Sequence, residues 1–193
     1  TIKGHTYSSL SVGGTSAAES AGRLVAIGTA ANPITFTKWA ADPYWLGLYV
    51  EYTPPGGIPA SALLDHVVIE QAQNGLIVGS PNVTLDRALI RNNRSTGVQN
   101  GAPMTISNSV FENNGANGSG QAVYAGYPIT FTNNSITADG TGPRTMYLEV
   151  NGASTNLAGN TFSGGAIELM NGLIDQDVTW PTSVREAVLS GIN

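Results

Sequence analysis

The sequence has no cysteine, two histidines and only 11% charged residues, where an average soluble domain has roughly 25%. Without cysteine there is no disulfide bond, thiol nucleophile or cysteine-based zinc site, and two histidines leave little material for an imidazole metal centre. Eight Lys and Arg against 13 Asp and Glu give a formal net charge of −5 with no basic run, which argues against nucleic-acid binding. No stretch approaches the roughly 20 apolar residues of a membrane-spanning helix.

The chain does have enough hydrophobic residues, 41% of 193, to form the core of one domain. Asn, Thr, Ser and Gly take the place of the missing charge, and this composition favours a secreted or cell-surface protein. The chain begins at Thr1 without an initiator Met or a signal peptide, so we expect a processed product or an excised piece.

Short apolar segments recur in one register along the chain. The segment 83–85 is followed at intervals of 21, 25 and 26 residues by the segments 104–106, 129–131 and 155–157. A second apolar position follows five residues later each time, in the pairs Leu64–Ile69, Leu85–Ile90, Ile106–Phe111, Phe131–Ile136 and Leu157–Phe162. A third column is predicted at Ile77, Val98, Val123 and Leu148. Strand-like segments that share a register at this period indicate the rungs of a solenoid.

We therefore predict an all-β fold, a right-handed parallel β-helix (solenoid) of about seven rungs with 21–26 residues per rung. Rungs about 4.8 Å apart make a rod on the order of 34 Å long. A β-sandwich would not require the shared register, and leucine-rich repeats need a consensus that this chain lacks. The prediction treats 1–193 as a single domain, with an N-terminal rung or cap at 1–23, regular rungs at 24–165, and a last rung with a C-terminal extension at 166–193.

Several segments resemble the repeats of bacterial right-handed parallel β-helix proteins, which belong to the pectate-lyase-like solenoid superfamily. The segments are 22–37 (GRLVAIGTAANPITFT), 65–70 (DHVVIE), 83–93 (VTLDRALIRNN) and 104–114 (MTISNSVFENN), with 174–181 similar to the start of another unit. The resemblance implies the fold and a bacterial source but no activity, because lyases, tailspikes and adhesins share this architecture. It also leads us to expect a segment of a longer array.

One group of residues could be catalytic. Asp65 and Asp86 are predicted to stack on neighbouring rungs, with Arg87 and Arg91 close by. Paired carboxylates could serve as general acid and base or bind Ca²⁺, and arginine could contact an acidic sugar. Against catalysis, the same column continues with hydroxyl residues, and the Asp and Arg motifs of β-helix pectinases are missing. No cofactor other than this calcium ion is predicted.

Two further stacks are interpreted as structural. Glu70, Arg91 and Glu112 follow one another on successive rungs and form a ladder of opposite charges. Asn residues fall near matching bends in three pairs, at 92–93, 113–114 and 133–134. Because Asn tolerates left-handed backbone and its amide can hydrogen-bond along a stack, these pairs predict one asparagine ladder.

A row of hydroxyl side chains is predicted to face outward. Its members are Thr84, Thr105, Ser107, Thr130 and Thr132, with Thr35 and Thr37 in a similar pair on an earlier strand. Regular Thr-x-Thr arrays resemble the ice-binding faces of other β-solenoids. The simpler alternative is the preference of threonine for solvated strands.

Aromatic residues form two groups that could stack on sugars. Trp39, Tyr44 and Trp45 lie early in the chain, and Tyr124 and Tyr127 lie later. Aromatic rings bind the apolar faces of sugars, but the early group could equally plug the first rungs.

The leading prediction is a noncatalytic extracellular structural or adhesive module. Open solenoid ends would expose unpaired backbone groups, so we expect end-to-end self-association or pairing with neighbouring β-helix units, and polysaccharide as a further partner. The alternatives are a carbohydrate-active β-helix enzyme and, third, an ice-binding protein. Neither nucleic acid nor a membrane is an expected partner.

Overall fold

The computed structural model describes residues 1–14, 22–52, 55–115, 120–137, 144–151, 156–164, 166–173 and 187–190. Its regular elements in these residues are twenty short β-strands arranged in three sheets. The repeat-like segment 174–181 and most of the predicted C-terminal extension lie outside the described residues.

Neighbouring strands within a sheet are mostly three strands apart in the chain. Sheet 1 contains β1 (Ile2–Gly4), β4 (Ile34–Lys38), β7 (Val67–Glu70), β10 (Leu89–Arg91), β13 (Val110–Glu112), β16 (Ser135–Thr137) and β18 (Thr161–Ser163). Sheet 2 contains β2 (Ser9–Val12), β5 (Gly47–Val50), β8 (Asn74–Val78), β11 (Thr96–Asn100), β14 (Val123–Ala125), β17 (Arg144–Asn151), β19 (Ala166–Leu173) and β20 (Ala187–Ser190). Sheet 3 contains β3 (Arg23–Ile27), β6 (Ser61–Asp65), β9 (Val83–Asp86), β12 (Met104–Ser107) and β15 (Ile129–Thr132).

Every paired strand is parallel to its neighbour, so the chain winds through sheet 3, sheet 1 and sheet 2 in turn. Leu85 pairs with Ile106, and Ile106 with Phe131, which are the 21- and 25-residue steps of the sequence. The predicted parallel β-helix is confirmed. The described strands number seven, eight and five in the three sheets, so the rung count is less uniform than the predicted seven.

Two of the three predicted apolar columns form the core. Leu64, Leu85, Ile106 and Phe131 line sheet 3 from inside, and Ile69, Ile90, Phe111 and Ile136 line sheet 1; all eight side chains are fully buried. Each such side chain stabilises the fold by about 1.5–3 kcal/mol. Because a single rung cannot bury its apolar side chains alone, this stabilisation requires the neighbouring rungs.

The third column was predicted in the wrong register. Leu76, not Ile77, pairs with Val98, and Val123 then pairs with Met146, not Leu148. Ile77 pairs with the exposed Gln99 and faces outward. Residues 76–78 are all apolar, so hydrophobicity alone could not show which of them alternates inward.

The bend from sheet 3 to sheet 1 is made by a single left-handed residue on each rung. His66, Arg87, Asn108 and Asn133 occupy this position with φ between 48° and 56°. The backbone N–H of Arg87 donates to the carbonyl of Ser107, so the hydrogen-bond ladder continues through the bend. The side chains of these residues point away from the core and lie above one another.

Buried polar side chains form two ladders rather than one. At the bend from sheet 1 to sheet 2, Asn93 Oδ1 accepts from the backbone N–H of Ala72, and Asn93 Nδ2 donates to Asn114 Oδ1 at 2.8 Å. At the bend from sheet 3 to sheet 1, the backbone N–H of Asn134 donates to Asn160 Oδ1, also at 2.8 Å. The prediction of an asparagine ladder is right in kind, but residues 133–134 stand at a different bend from the other two pairs.

Glycines make room for the ladder between sheets 1 and 2. A Cβ atom on Gly97 would lie 3.1 Å from Asn114 Cγ and 2.5 Å from the carbonyl oxygen of Ala122. A Cβ atom on Gly75 would lie 2.9 Å from Asn93 Nδ2. Side chains at these positions would displace the amides that satisfy the bend.

We expect Asn114→Ala to lower the free energy of unfolding by about 3 kcal/mol, because it removes three buried hydrogen bonds: those from the backbone N–H and Nδ2 of Asn93, and the one to the carbonyl of Ile90. Gln99→Ala, on the exposed face of sheet 2, is the control and should change it by less than about 0.5 kcal/mol. Urea unfolding followed by circular dichroism measures both, and equal losses would contradict a specific role for the ladder.

Candidate functional site

The two candidate catalytic acids lie at the ends of neighbouring strands. Asp65 ends β6 and Asp86 ends β9, and the two residues pair in register. Each is followed by a left-handed residue, His66 or Arg87, that turns the chain towards sheet 1. The structure therefore brings together Asp65, Asp86 and Arg87 as predicted.

Arg87 binds both carboxylates. Its Nη2 lies 2.6 Å from Asp65 Oδ2, its Nε donates to Asp65 Oδ1 at 3.0 Å, and its Nη1 lies 2.8 Å from Asp86 Oδ2. The other oxygen of Asp86 accepts from Ser107 Oγ and Asn108 Nδ2, each at 2.7 Å. Every carboxylate oxygen of the pair thus has at least one hydrogen-bond donor.

These contacts favour the ionised acids. Hydrogen bonds from Arg87 hold the pKa of Asp65 below its ordinary value, and Asp65 in turn raises the pKa of Arg87. His66 Nδ1 also lies 2.8 Å from Asp65 Oδ1. A general acid needs a raised pKa, and a general base needs a free lone pair towards the substrate. The lowered pKa of Asp65 does not suit a general acid, and the guanidinium of Arg87 contacts both carboxylates in this arrangement.

The same contacts bear on a metal site. Asp65 and Asp86 are the residues that could hold Ca²⁺, but the guanidinium of Arg87 bonds to both of them. The part of the chain that the structure describes contains no group of three or more His, Asp or Glu side chains placed to hold a metal ion. The residues present do not fit a calcium ion without displacement of Arg87, and calcium binding stays an untested prediction.

Arg91 belongs to a different surface from the two acids. It pairs in register with Glu70 and Glu112 on sheet 1, and its Nε donates to Glu70 Oε2 at 2.8 Å. This is the predicted ladder of opposite charges. Arg91 is a member of that ladder, and its described polar partner is Glu70 rather than Asp65 or Asp86.

The hydroxyl residues of sheet 3 form two outward columns. Thr84, Thr105 and Thr130 pair in register in one column. Ser107 and Thr132 continue the column of Asp86 in the other. The threonine column is bounded by Leu63 and Asn156, so it is three residues long.

The earlier pair, Thr35 and Thr37, is not part of this face. Both lie on β4 in sheet 1, and Thr37 Oγ1 donates to Gln71 Oε1. A period shared by all strands does not reveal which of three sheets a strand joins.

A shallow groove of about 400 Å³ runs beside the threonine column across β9, β12 and β15. Its lining includes Asn82, Pro103 and Pro128, each of which precedes a strand, and the three threonines. Sequence reasoning missed this groove. The available signal was the recurrence of these three residues at the same 21- and 25-residue steps, immediately before each strand.

The candidate aromatic residues are spread over the molecule. Trp39 is 47% exposed, but Trp45 is only 2% exposed and donates from Nε1 to the carbonyl of Glu70. Trp45 is therefore a plug between rungs, and its prediction as a sugar-stacking residue is wrong. Tyr44 is half-buried under Arg94, whose Cζ lies 4.5 Å from the ring centroid.

The later aromatics lie far along the solenoid from the early ones. Tyr124 faces outward on sheet 2 and stacks on Tyr147 with ring centroids 4.4 Å apart. Burial, with a contribution from Glu149, raises the pKa of Tyr124 to about 12. Tyr127, 51% exposed, lies between β14 and β15 beside Pro128 of the groove. The two groups do not form one platform.

The comparisons with known proteins agree with this architecture. The family model described as the right-handed beta helix region matches residues 47–174, more than half of the chain. The protein is a parallel β-solenoid of the right-handed type, and the chain belongs to this right-handed β-helix family. No curated protein and no solved structure matches it.

The comparisons leave the bacterial source and the pectate-lyase-like relationship as predictions. The described residues contain no helix that is long and apolar enough to span a membrane.

We expect Arg87→Asn to raise the pKa of Asp65 towards its ordinary 3.8, because Arg87 is the main cause of the lowering. Asn suits the left-handed backbone, as at Asn108 and Asn133. A carboxyl with a lowered pKa stabilises the fold above its unfolded-state pKa and loses this contribution as the pH falls through its folded-state pKa. The stability difference between the two proteins should therefore be full at neutral pH and shrink below about pH 3.8.

Carbon-detected NMR titration of the Asp carboxyls, with urea unfolding at several pH values, measures both effects. Arg91→Gln is the matched control, because it removes a cation bonded to Glu70 and should leave the pKa of Asp65 unchanged. If the pKa of Asp65 were the same in the Arg87→Asn variant as in the wild type, Arg87 would not control the ionisation of this carboxylate.

Proposed function

We propose that this protein is a noncatalytic, secreted or cell-surface adhesion module that binds a linear polysaccharide along the groove of sheet 3. The observation that carries the proposal is the repetition of the same groove elements on three successive rungs, with Thr84, Thr105 and Thr130 in one column. The repeat of about 4.8 Å along the solenoid axis suits an extended polymer with a short repeat.

The groove offers chemistry for neutral sugars. Each threonine hydroxyl can donate one hydrogen bond and accept two, as sugar hydroxyls do. The prolines at 103 and 128 add apolar surface to the lining of the same groove. The groove is open to solvent along its length, which suits a chain that passes through rather than a small molecule that is enclosed.

The state of the neighbouring acids supports binding without catalysis. Asp86 lies two residues beyond Thr84 on β9, Asp65 ends the neighbouring strand β6, and both carboxylates are held by Arg87. Their arrangement stabilises a bend between stacked rungs. A rigid ladder of parallel strands beside an open groove then has the properties of a scaffold that presents a binding face.

We expect the triple change Thr84→Val, Thr105→Val and Thr130→Val to weaken polysaccharide binding by at least about tenfold, because three lost hydrogen bonds of about 0.5–1.5 kcal/mol each sum to at least about 1.5 kcal/mol. Valine keeps the branched shape that favours strands. Thr35→Val, which removes an outward hydroxyl from sheet 1, is the matched control. Affinity electrophoresis against a panel of neutral and acidic polysaccharides, followed by calorimetry, measures the change; an unaffected triple variant would place binding elsewhere.

The same panel separates the two alternatives. An enzyme is favoured by one observation, the in-register carboxylates beside Arg87. New reducing ends or unsaturated products that disappear in Asp86→Asn would replace our proposal with polysaccharide cleavage. Thermal hysteresis in the wild type that disappears in the triple valine variant would assign the threonine column to ice instead.

Self-association is a second candidate function, and β3 is the observation that favours it. Among the described strands β3 pairs with β6 alone, and its outward Val25 and Ile27 are each about half exposed. An edge of this kind can pair with a strand of another copy. We expect light scattering to show oligomers that grow with concentration and that Val25→Lys with Ile27→Lys abolishes; a monomer at every concentration would contradict this.

A further inference from the structure

The first bends from sheet 1 to sheet 2 hold a cluster of aromatic and cationic side chains. Segments 3–8 and 38–46 form this bend on two successive rungs, and segment 92–95 reaches it from above. We name the cluster the corner patch, and its members are Lys3, His5, Tyr7, Lys38, Trp39, Tyr44 and Arg94. It lies apart from the groove of sheet 3.

Two aromatic rings of the corner patch, those of Tyr7 and Trp39, are exposed, and both contact neighbouring rings. Tyr7 is 79% exposed, and its ring contacts that of Tyr44 edge-on, with the ring centroids 6.4 Å apart. Trp39 stacks against His5 with ring centroids 5.3 Å apart. His5 Nδ1 is in turn held by Asp42 Oδ2 at 2.9 Å, and the same oxygen accepts from the backbone N–H of Thr6. The rings therefore present apolar surface without first having to be ordered.

The cations of the corner patch are held by rings and carbonyls rather than by carboxylates. Lys3 Nζ lies 5.4 Å from the Trp39 ring centroid, and Arg94 lies over Tyr44. Lys38 Nζ donates to the carbonyl oxygens of Asp42 and Ala40. Within the described residues none of these three cations has a carboxylate at ion-pair distance, whereas Arg87 and Arg91 are both paired.

The charge of the patch contrasts with that of the chain. Its three segments contain three Lys and Arg and one carboxylate, in a chain with a formal net charge of −5. A negatively charged polymer is repelled by most of this protein and attracted to the corner. Cations that lie on ring faces can contact an acidic group while the neighbouring aromatic surface contacts a sugar ring.

We infer that the corner patch is a second polysaccharide-binding site, and that its ligand is an acidic polysaccharide with carboxylate or sulfate groups. Lys3 and Arg94 contact the acidic groups, and Tyr7 and Trp39 contact the sugar rings. The inference rests on the proposed function only in taking polysaccharide as the partner. Its surface, its ligand charge and its salt dependence all differ from those of the groove.

The test uses alginate and dextran sulfate as acidic probes and unsubstituted dextran as the neutral one, with the full chain. We expect both acidic polymers to bind, and Lys3→Gln with Arg94→Gln to weaken their binding about tenfold. Arg23→Gln is the matched control, because it removes an exposed cation from β3 outside the patch, and it should change the affinity less than about twofold. Added salt should weaken binding in the wild type.

The aromatic half of the site has its own readout. Tyr7→Ala with Trp39→Ala leaves the net charge unchanged, so weakened alginate binding in this variant reports the loss of the rings, both as sugar contacts and as the support of Lys3. Trp39→Phe keeps a ring and should retain binding while losing the change in tryptophan fluorescence. Equal thermal midpoints of the variants and the wild type would show that the fold is intact.

The outcomes distinguish this site from the groove. Acidic polymers that bind normally to the Lys3 and Arg94 variant but poorly to the triple valine variant would overturn the corner patch and leave the groove. Loss of dextran binding alone in the triple valine variant, with alginate binding intact, supports two sites. Tighter binding of a single-stranded oligonucleotide than of either acidic polysaccharide would overturn the assignment of the ligand as a sugar.

Discussion

The stacking of each rung on the next is the constraint on which the rest of this structure depends. A single rung has one row of apolar side chains and open backbone groups on both sides, so it cannot be stable alone. The parallel ladder pairs the backbone, and the buried columns of Leu85 and Ile90 continue from rung to rung. At the bends the buried amides of Asn93 and Asn114 satisfy each other. A change of register would break all three kinds of contact together.

The same constraint arranges the surface. Residues 21 or 25 positions apart become neighbours about 4.8 Å apart, so a local sequence feature becomes an array. The result differs from face to face: an alternating charge ladder on sheet 1, a hydroxyl column on sheet 3, and an arginine that bridges two acids at the bend between them. Of these three arrangements, only the bend brings two acids into register with each other, and there Arg87 is ion-paired with both. On this arrangement of the surface we base the proposal of a binding scaffold.

The charge distribution gives the surface two separate characters. Arg87 is ion-paired with Asp65 and Asp86, and Arg91 with Glu70, so each arginine offsets part of the negative charge around it. Among the described residues, Lys3 and Arg94 have no carboxylate at ion-pair distance and lie against aromatic rings instead. A neutral groove and a cationic aromatic corner on one rigid rod would allow two kinds of polymer to be bound at once.

The sequence alone determined the fold class, two of the three core columns, and the pairing of Asp65 with Asp86, because each depends on the period of the repeat. It could not determine the register of residues 76–78, where three apolar residues hide the alternation, or the sheet to which Thr35 belongs. The tertiary structure alone decided that Arg87 occupies both acids, that Trp45 is buried, and that Arg94 reaches Tyr44. The bends differ in length from rung to rung, and the contacts between their side chains follow no period that a sequence pattern could reveal.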